Sequence, residues 1–198
     1  MKKLLHVGCG QETLKNLPKA FQNGDWQEVR FDIAEEVKPD IIGTLLDMSA
    51  VEDGSVDLVY SSHNIEHVFY HEVPKVLLEF KRVLNDDGFA IIACPDLQLI
   101  CELTLQGDLD APLYNSVSGP ITALDVFYGH SESIEQGCTY MAHKTGFDLK
   151  LMAKRLKEAG FGNFRGKRIR GRKELLFVAS IAALDGEAMA KIYAEFTA

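Results

Sequence analysis

Short apolar runs alternate with turn residues and one amphipathic stretch along this chain, and this alternation restricts the fold more than any other feature. The runs with the pattern of buried strands are 4–7, 28–33, 56–62 and 89–94. From His71 to Leu84 the apolar residues recur at helical spacing, and Pro74 suits the first turn of such a helix. Strands that alternate with helices predict an α/β fold with a doubly wound, mostly parallel sheet covered on both faces.

The other segments are assigned from weaker patterns. A helical stretch with Leu14, Leu17 and Phe21 is expected between the first two strands, although Pro18 weakens it. Residues 40–46 have the pattern of a further core strand. Near the C-terminus, Asp148 and Asp185 are placed to cap two helices, the second with Phe196 on its apolar side. Between these helices, 161–169 and 174–182 predict two strands that are antiparallel to each other.

Residues 97–142 have mixed periodicity and several glycines, so we expect an irregular insertion outside the sheet. Long irregular segments of this kind often carry function. The chain has no internal repeat and no low-complexity linker. We therefore predict one domain over residues 1–198, with the insertion from about Leu97 to Ala142 as a substrate lid.

The composition of the chain restricts the classes of molecule that it is expected to bind and the compartment in which it is expected to lie. With 21 Lys and Arg against 29 Asp and Glu, the formal net charge is −8, which makes nucleic acid an unlikely general partner and favours small molecules. No apolar run approaches the roughly 20 residues that a membrane span needs, and the apolar stretch after Met1 is too short for a signal peptide. The four cysteines have no paired spacing, so a cytoplasmic setting is expected.

A glycine turn follows the first strand directly. Gly8 and Gly10 end the run, and Asp32 stands at the end of the second strand. Glycines at such a turn let the backbone approach a ligand closely, and a carboxylate about 20 residues further on can accept hydrogen bonds from ribose hydroxyls. The spacing indicates a nucleoside-containing cofactor, and a purely structural tight turn is the alternative.

Several motifs follow one another in a fixed order. They are Leu4-Leu-His-Val-Gly-Cys-Gly10, Asp32-Ile33, Gly43-Thr-Leu-Leu-Asp47-Met48, Asp53-Gly-Ser-Val-Asp-Leu-Val59, Ser61-Ser-His-Asn-Ile-Glu-His67 and Arg82-Val-Leu-Asn-Asp-Asp-Gly-Phe89. This series resembles the class I S-adenosylmethionine-dependent methyltransferases of type 11, closely over residues 4–96 and more loosely beyond. The resemblance implies a Rossmann-like sheet of seven strands with one reversed strand, S-adenosylmethionine as the cofactor, and methyl transfer to a small acceptor.

The resemblance also implies roles for individual residues. Gly8, Cys9 and Gly10 would form the turn under the methionine and ribose parts of the cofactor, and Asp32 with its neighbour Ile33 would hold the ribose end. Asp47 would accept a hydrogen bond from the adenine amine, and Met48 would pack on the adenine ring; a turn cap and a core methionine are the alternatives. His6 is counted among the candidate cofactor-binding residues, although it replaces an acidic residue that the family has in the first strand. Gln11 and Glu12 also depart from the family, because they replace a further glycine.

Histidine can exchange a proton near neutral pH, so two histidines are candidate general bases if the acceptor must lose a proton. They are His63, at the end of the fourth strand, and His143, at the end of the insertion. His63 and Ser62 also lie where they could contact the cofactor or orient the substrate. A hydrogen-bonded structural histidine is the alternative in each case.

Two other sites remain open to interpretation. His63, His67, His71 and His143 with Glu66 could be metal ligands, but the strand-like context of His63 makes the sequence favour no metal site. The basic residues from Arg165 to Lys173 could bind phosphate, although a solvated hairpin rim explains them equally well.

The function also has alternatives. One is a catalytically silent S-adenosylmethionine-binding scaffold, and the other is an NAD-dependent oxidoreductase, which lacks the third glycine of its fingerprint here. A homodimer is possible through the apolar face of the last helix.

Overall fold

Nine strands are formed in the computed structural model, which describes residues 1–105, 107–116 and 119–196. They are β1 (Lys2–Val7), β2 (Trp26–Asp32), β3 (Ile41–Ile42), β4 (Val56–Ser62), β5 (Leu84–Pro95), β6 (Pro112–Ser116), β7 (Gly119–Thr122), β8 (Asn163–Ile169) and β9 (Glu174–Ser180). Seven form one sheet in the order β3-β2-β1-β4-β5-β9-β8. Its strands pair in parallel, except that β9 is antiparallel to both β5 and β8. The predicted α/β fold with one reversed strand is confirmed.

Six α-helices accompany these strands in the described ranges. They are α1 (Val73–Val83), α2 (Leu97–Thr104), α3 (Ala123–Tyr128), α4 (Ser131–Glu135), α5 (Leu149–Glu158) and α6 (Gly186–Phe196). Helices α1 and α5 pack on one face of the sheet, where Phe80, Leu156 and Phe177 are fully buried. Helix α6 covers the other face together with a 3-10 turn at Lys19–Phe21. Both faces are therefore covered, as the alternation of elements predicted.

The apolar stripe of α1 was predicted correctly. Val73, Val76, Leu77, Phe80 and Val83 are all buried, while the intervening Leu78 is exposed. The predicted helix caps are also formed. The Asp148 carboxylate accepts a hydrogen bond from the Leu151 amide at 2.7 Å, and that of Asp185 accepts from the Ala188 amide at 2.8 Å. The side chain of Phe196 lies outside the described residues.

Two predicted elements are wrong. The helix expected around Leu14 and Leu17 is replaced by turns and the 3-10 turn at Lys19–Phe21, because Pro18 supplies no backbone N–H and disfavours helical geometry in the residue before it. The core strand expected over residues 40–46 is reduced to the two residues of β3, where Ile42 is more than half exposed. The chain there turns away from the sheet edge.

The insertion lies outside the main sheet, as expected, but it is more regular than its sequence indicates. It contains α2, the hairpin β6-β7, α3 and α4. A capping box begins α3, since Thr122 and Asp125 each accept a hydrogen bond from the other's backbone amide. A third small core, around Ile100, Ala123 and Val126, holds the segment together.

Asp125 is expected to make the stability of the insertion depend on pH. Its carboxylate accepts hydrogen bonds from the backbone and hydroxyl groups of Thr122 and Ser131, at 2.7 to 3.0 Å. Burial raises the pKa of Asp125, but these hydrogen bonds outweigh it and lower the pKa from 3.8 to about 2. A lowered pKa stabilises the folded state above pH 3.8, and this stabilisation is lost as the pH falls towards 2.

The measurement compares Asp125→Asn with the native chain in urea. At pH 7 we expect the variant to lose about 2 kcal/mol of unfolding free energy. The difference should shrink below pH 4, because a protonated carboxyl resembles the amide. An equal difference at pH 7 and pH 2.5 would contradict this account.

Candidate active site

A cavity of about 600 Å³ opens at the carboxyl ends of β1, β2 and β4. Its volume is in the range of small-molecule and cofactor sites. Its wall includes residues from five segments: Gly8, Gly10, Asp32, Ile33, Leu45, Leu46, His63, Asn64, His67, Tyr140, Met141 and Lys144. The order of the sheet reverses between β1 and β4, which is where open α/β sheets bind their ligands.

The glycine turn and Asp32 form one side of the cavity. Gly8 and Gly10 both have left-handed backbone angles, φ +66° and +50°. A Cβ atom at Gly8 would lie 2.3 Å from the Asn64 side-chain nitrogen, so only glycine allows this close approach. Asp32 accepts hydrogen bonds from the amides of Gly10 at 2.7 Å and Ala34 at 2.9 Å. Because a carboxylate has about four acceptor positions, Asp32 can still accept from a ligand in the cavity it lines.

His6 and Cys9 support this turn from behind. His6 is buried, its Nδ1 is 2.8 Å from Oε1 of Glu28, and its ring packs edge-on against Tyr60. Burial lowers the pKa of His6, although Glu28 partly opposes this. Cys9 is also buried, and burial raises the pKa of its thiol to about 11. Neither is among the cavity-lining residues, and their direct contact with a cofactor stays a prediction.

The structure places Asp47 and Met48 away from the cavity wall and Leu45 and Leu46 on it. Asp47 is exposed, and a hydrogen bond from Ser49 lowers the pKa of its carboxyl. Met48 is fully buried, and its amide donates to Glu79 at 3.0 Å. The predicted adenine contacts of these two residues are therefore untested, and sequence reasoning missed the leucines just before them.

His63 occupies the edge of the cavity between two carboxylates. Its Nε2 is 3.1 Å from Oε2 of Glu174, and its Nδ1 is 3.6 Å from Oε1 of Glu66. Partial burial lowers the pKa of His63, but the two carboxylates outweigh it and raise the pKa to about 10. The raised pKa favours the charged ring at neutral pH, with Nε2 within hydrogen-bond distance of Glu174, and the base role of His63 stays a prediction. Ser62 precedes it, half-buried at the end of β4.

His143 meets Glu66 and His67 beside the cavity. The backbone amide of Lys144 donates to the Glu66 carbonyl at 2.8 Å, which brings the end of the insertion onto the turn after β4. The ring centroids of His67 and His143 are 4.9 Å apart. Burial lowers the pKa of His143, although Glu66 opposes it. His67 lines the cavity and His143 does not, and no sequence spacing indicated that they would meet.

The insertion closes one side of the cavity. Tyr140 and Met141 lie on a 3-10 turn at Thr139–Met141 and line the wall. The Tyr140 hydroxyl donates to Oε1 of Glu36, on the 3-10 turn at Glu35–Val37, at 2.9 Å. The predicted lid thus has a contact that could hold it shut.

Three of the six basic residues between Arg165 and Lys173 are paired with acidic groups. Arg168 forms an ion pair with buried Asp96, and Arg170 is 3.5 Å from Glu102. Arg172 Nε is 2.9 Å from Glu174. This pairing favours the structural interpretation of the cluster over a phosphate site.

Comparison with known proteins supports the resemblance. A family model described as a methyltransferase domain matches residues 5–92, the segment that carries the glycine turn, Asp32 and His63. This match covers 88 of the 198 residues. The resemblance to class I S-adenosylmethionine-dependent methyltransferases is confirmed, and no curated protein matches the sequence significantly.

Solved structures share the fold of this chain. A putative O-methyltransferase from Nostoc punctiforme is 15% identical with a TM-score of 0.59, and the match covers 90% of this chain and 52% of that one. An S-adenosylmethionine-dependent methyltransferase from Archaeoglobus fulgidus is 13% identical with a TM-score of 0.58, covering 90% and 86%.

A third similar structure was solved with ligands. It is the 1,6-didemethyltoxoflavin-N1-methyltransferase of Burkholderia thailandensis with bound 1,6-didemethyltoxoflavin and S-adenosylhomocysteine. It is 12% identical with a TM-score of 0.55, covering 90% of this chain and 70% of that one. At such identities the chain shares the fold with these proteins. None of its helices, in the residues described, has the length and hydropathy of a bilayer-spanning segment.

Proposed function

We propose that this chain binds S-adenosylmethionine in the 600 Å³ cavity and transfers its methyl group to a small acceptor. The observation that carries the proposal is that the glycine turn and Asp32 meet on one wall of the cavity at the switch point of a methyltransferase-domain sheet. The Burkholderia structure of the same fold holds S-adenosylhomocysteine, which is the product formed when S-adenosylmethionine gives up its methyl group.

Each wall of the cavity suits one part of this cofactor. Asp32 can accept hydrogen bonds from the ribose hydroxyls, and the turn at Gly8 and Gly10 lets the backbone approach closely. Ile33 is about half exposed although it is apolar, and with Leu45 it offers an apolar surface for the adenine ring. The part of the cavity near Asn64 and His67 is left for the methionine end and the acceptor.

Methyl transfer from a sulfonium is an in-line displacement, so the main work of the protein is to align the nucleophile and exclude water. Tyr140 and Met141 can cover the reacting groups because they close the side opposite the sheet. His63 is charged between Glu66 and Glu174, so we assign it a positioning role before a base role. His143, which keeps a neutral ring, is the remaining candidate base from the sequence.

The test is a calorimetric titration of the native chain, Asp32→Asn and Asp87→Asn with S-adenosylhomocysteine. Asp87 is the matched control because it is exposed and lies near the beginning of β5, whereas the cavity lies at the carboxyl ends of the parallel strands. Loss of the charged acceptor for the ribose hydroxyls is worth about 2 to 3 kcal/mol, so Asp32→Asn should raise Kd about 30- to 150-fold. Asp87→Asn should leave Kd unchanged.

Three other outcomes would decide against the proposal or limit it. Absence of binding to the native chain overturns it, and binding of NAD in place of S-adenosylhomocysteine favours the oxidoreductase alternative. Binding without methyl transfer to any of a broad panel of small acceptors supports the catalytically silent alternative.

A further inference from the structure

Three side chains of metal-ligand type converge beside the cavity. Glu66 and His67 lie on a 3-10 turn at Ile65–His67 after β4, and His143 ends the insertion. One carboxylate oxygen and two imidazole nitrogens from these residues all lie within 4.8 Å of one another. They form a two-histidine, one-carboxylate set, which we call the Glu66 cluster.

The Glu66 carboxylate is buried and has no hydrogen-bond donor within bonding distance in the part of the chain that is described. Its side chain is 1% exposed, and neither carboxylate oxygen accepts a hydrogen bond from the residues described. The 3.6 Å separation from Nδ1 of His63 is beyond hydrogen-bond distance. The charged His63 ring nearby offsets part of the cost of burying this carboxylate, and a bound cation is one of the usual ways that proteins offset the rest.

Both histidines are held with one ring nitrogen free. His67 Nδ1 is 3.2 Å from the Ala142 carbonyl, and His143 Nδ1 is 2.7 Å from the Val126 carbonyl. A carbonyl oxygen can only accept, so each Nδ1 carries the hydrogen and each neutral ring keeps its lone pair on Nε2. A backbone carbonyl behind the ring is the usual second contact of a metal-binding histidine.

We propose that the Glu66 cluster binds one first-row divalent transition-metal ion, with Zn²⁺ as the representative. Two imidazoles and one carboxylate are the donors of such ions, whereas Mg²⁺ and Ca²⁺ prefer oxygen ligands alone. Ligands about 2.1 Å from a tetrahedral Zn²⁺ are roughly 3.4 Å apart, so the present spacing needs to contract by about 1.4 Å at most.

Three protein ligands leave at least one coordination position open. His67 lines the cavity, so a metal bound to it lies at the cavity wall. If the cavity binds the methyl acceptor, as the proposed function requires, the open position can hold an acceptor oxygen or nitrogen and lower the pKa of that group, so that its proton passes to solvent water. His143 then acts as a metal ligand and not as a base. This role rests on the proposed function, but metal binding itself does not.

The test is a titration of metal-stripped protein with ZnCl₂ and with CoCl₂, followed by calorimetry and by the visible absorption of bound Co²⁺. We expect one ion per chain. Glu66→Gln and His143→Ala should each weaken binding at least about 100-fold, because each removes a ligand. His71→Ala is the matched control, because the i, i+4 spacing of His71 from His67 made it an equal candidate ligand in the sequence. It should leave the affinity for metal unchanged, since the exposed His71 ring stacks on Phe69.

Further variants distinguish metal binding by the Glu66 cluster from metal binding by other residues. Cys138→Ser should keep Zn²⁺ binding; if it abolishes binding while His143→Ala does not, the metal is on cysteine and the proposal fails. Absence of stoichiometric binding, or equal losses in His71→Ala and His143→Ala, also overturns it. Thermal melting checks the fold of Glu66→Gln, and the partly exposed His143 gives an independent variant.

The proposed function and the proposed metal site can be tested independently. The metal-free native chain and His71→Ala are therefore also titrated with S-adenosylhomocysteine, and both should bind it. Metal binding without S-adenosylhomocysteine binding would contradict the proposed function alone, and the reverse result would contradict the metal site alone.

Discussion

Replacing Arg168 with methionine is expected to lower the free energy of unfolding by about 3 to 5 kcal/mol, because it leaves a buried carboxylate without its charged partner. Asp96 follows β5 directly and is fully buried. Its side chain accepts a hydrogen bond from the Leu99 amide at 3.2 Å, which caps α2, and it forms an ion pair with Arg168 of β8. Arg168 also donates to Gln98 at 2.9 Å. The pair thus fixes the beginning of the insertion to the C-terminal hairpin.

Arg170→Met is the matched control for this prediction. Arg170 is 65% exposed and is 3.5 Å from Glu102, itself 44% exposed. Such a surface pair contributes about 1 kcal/mol or less. Urea unfolding at pH 7 should therefore separate the two variants clearly. Adding Asp96→Asn to Arg168→Met should restore much of the loss, because the amide oxygen can still cap α2 without a buried charge. Equal losses for Arg168→Met and Arg170→Met would contradict the assignment.

Phe80→Ala is expected to lower the free energy of unfolding by about 3 to 5 kcal/mol. Phe80 is fully buried, in the core between α1 and the sheet. Truncating its ring removes apolar contacts and leaves a cavity that the packed neighbours cannot fill. Leu78→Ala, on the exposed side of the same helix, should change stability by about 0.5 kcal/mol or less. Urea unfolding measures both, and a small loss for Phe80→Ala would show that the core collapses around the missing ring.

Much of the fold could be predicted from periodicity. The stripe of α1 and the buried runs that became β1, β4 and β5 carry strong local signals, and the caps at Asp148 and Asp185 depend only on neighbouring residues. The helix expected near Leu14 failed because a single proline outweighed a weak apolar pattern. The insertion was harder to interpret because its small core joins residues from α2, α3 and β7, whose contacts have no fixed spacing.

Some residues of the candidate site could be predicted from the sequence, and others could not. Gly8, Gly10 and Asp32 follow strands of one parallel sheet, so their positions in the sequence predict that they lie at one edge. The contact between His67 and His143 depends on how the insertion folds back over the sheet, which no local pattern encodes. The charge state of His63 likewise depends on Glu174, which is far away in sequence and reaches His63 only through strand pairing.

The direction of β9 has a further consequence for variation of the site. Because β9 runs against β5, its first residue rather than its last lies level with the carboxyl ends of the parallel strands: Glu174 pairs with Pro95, and Ser180 pairs with Phe89 at the opposite end. The connection from Ile169 to Glu174 therefore lies at the same edge as the cavity. Lengthening or shortening that connection would change the surroundings of His63 while leaving every strand of the sheet in register, so this edge of the cavity can vary without refolding the domain.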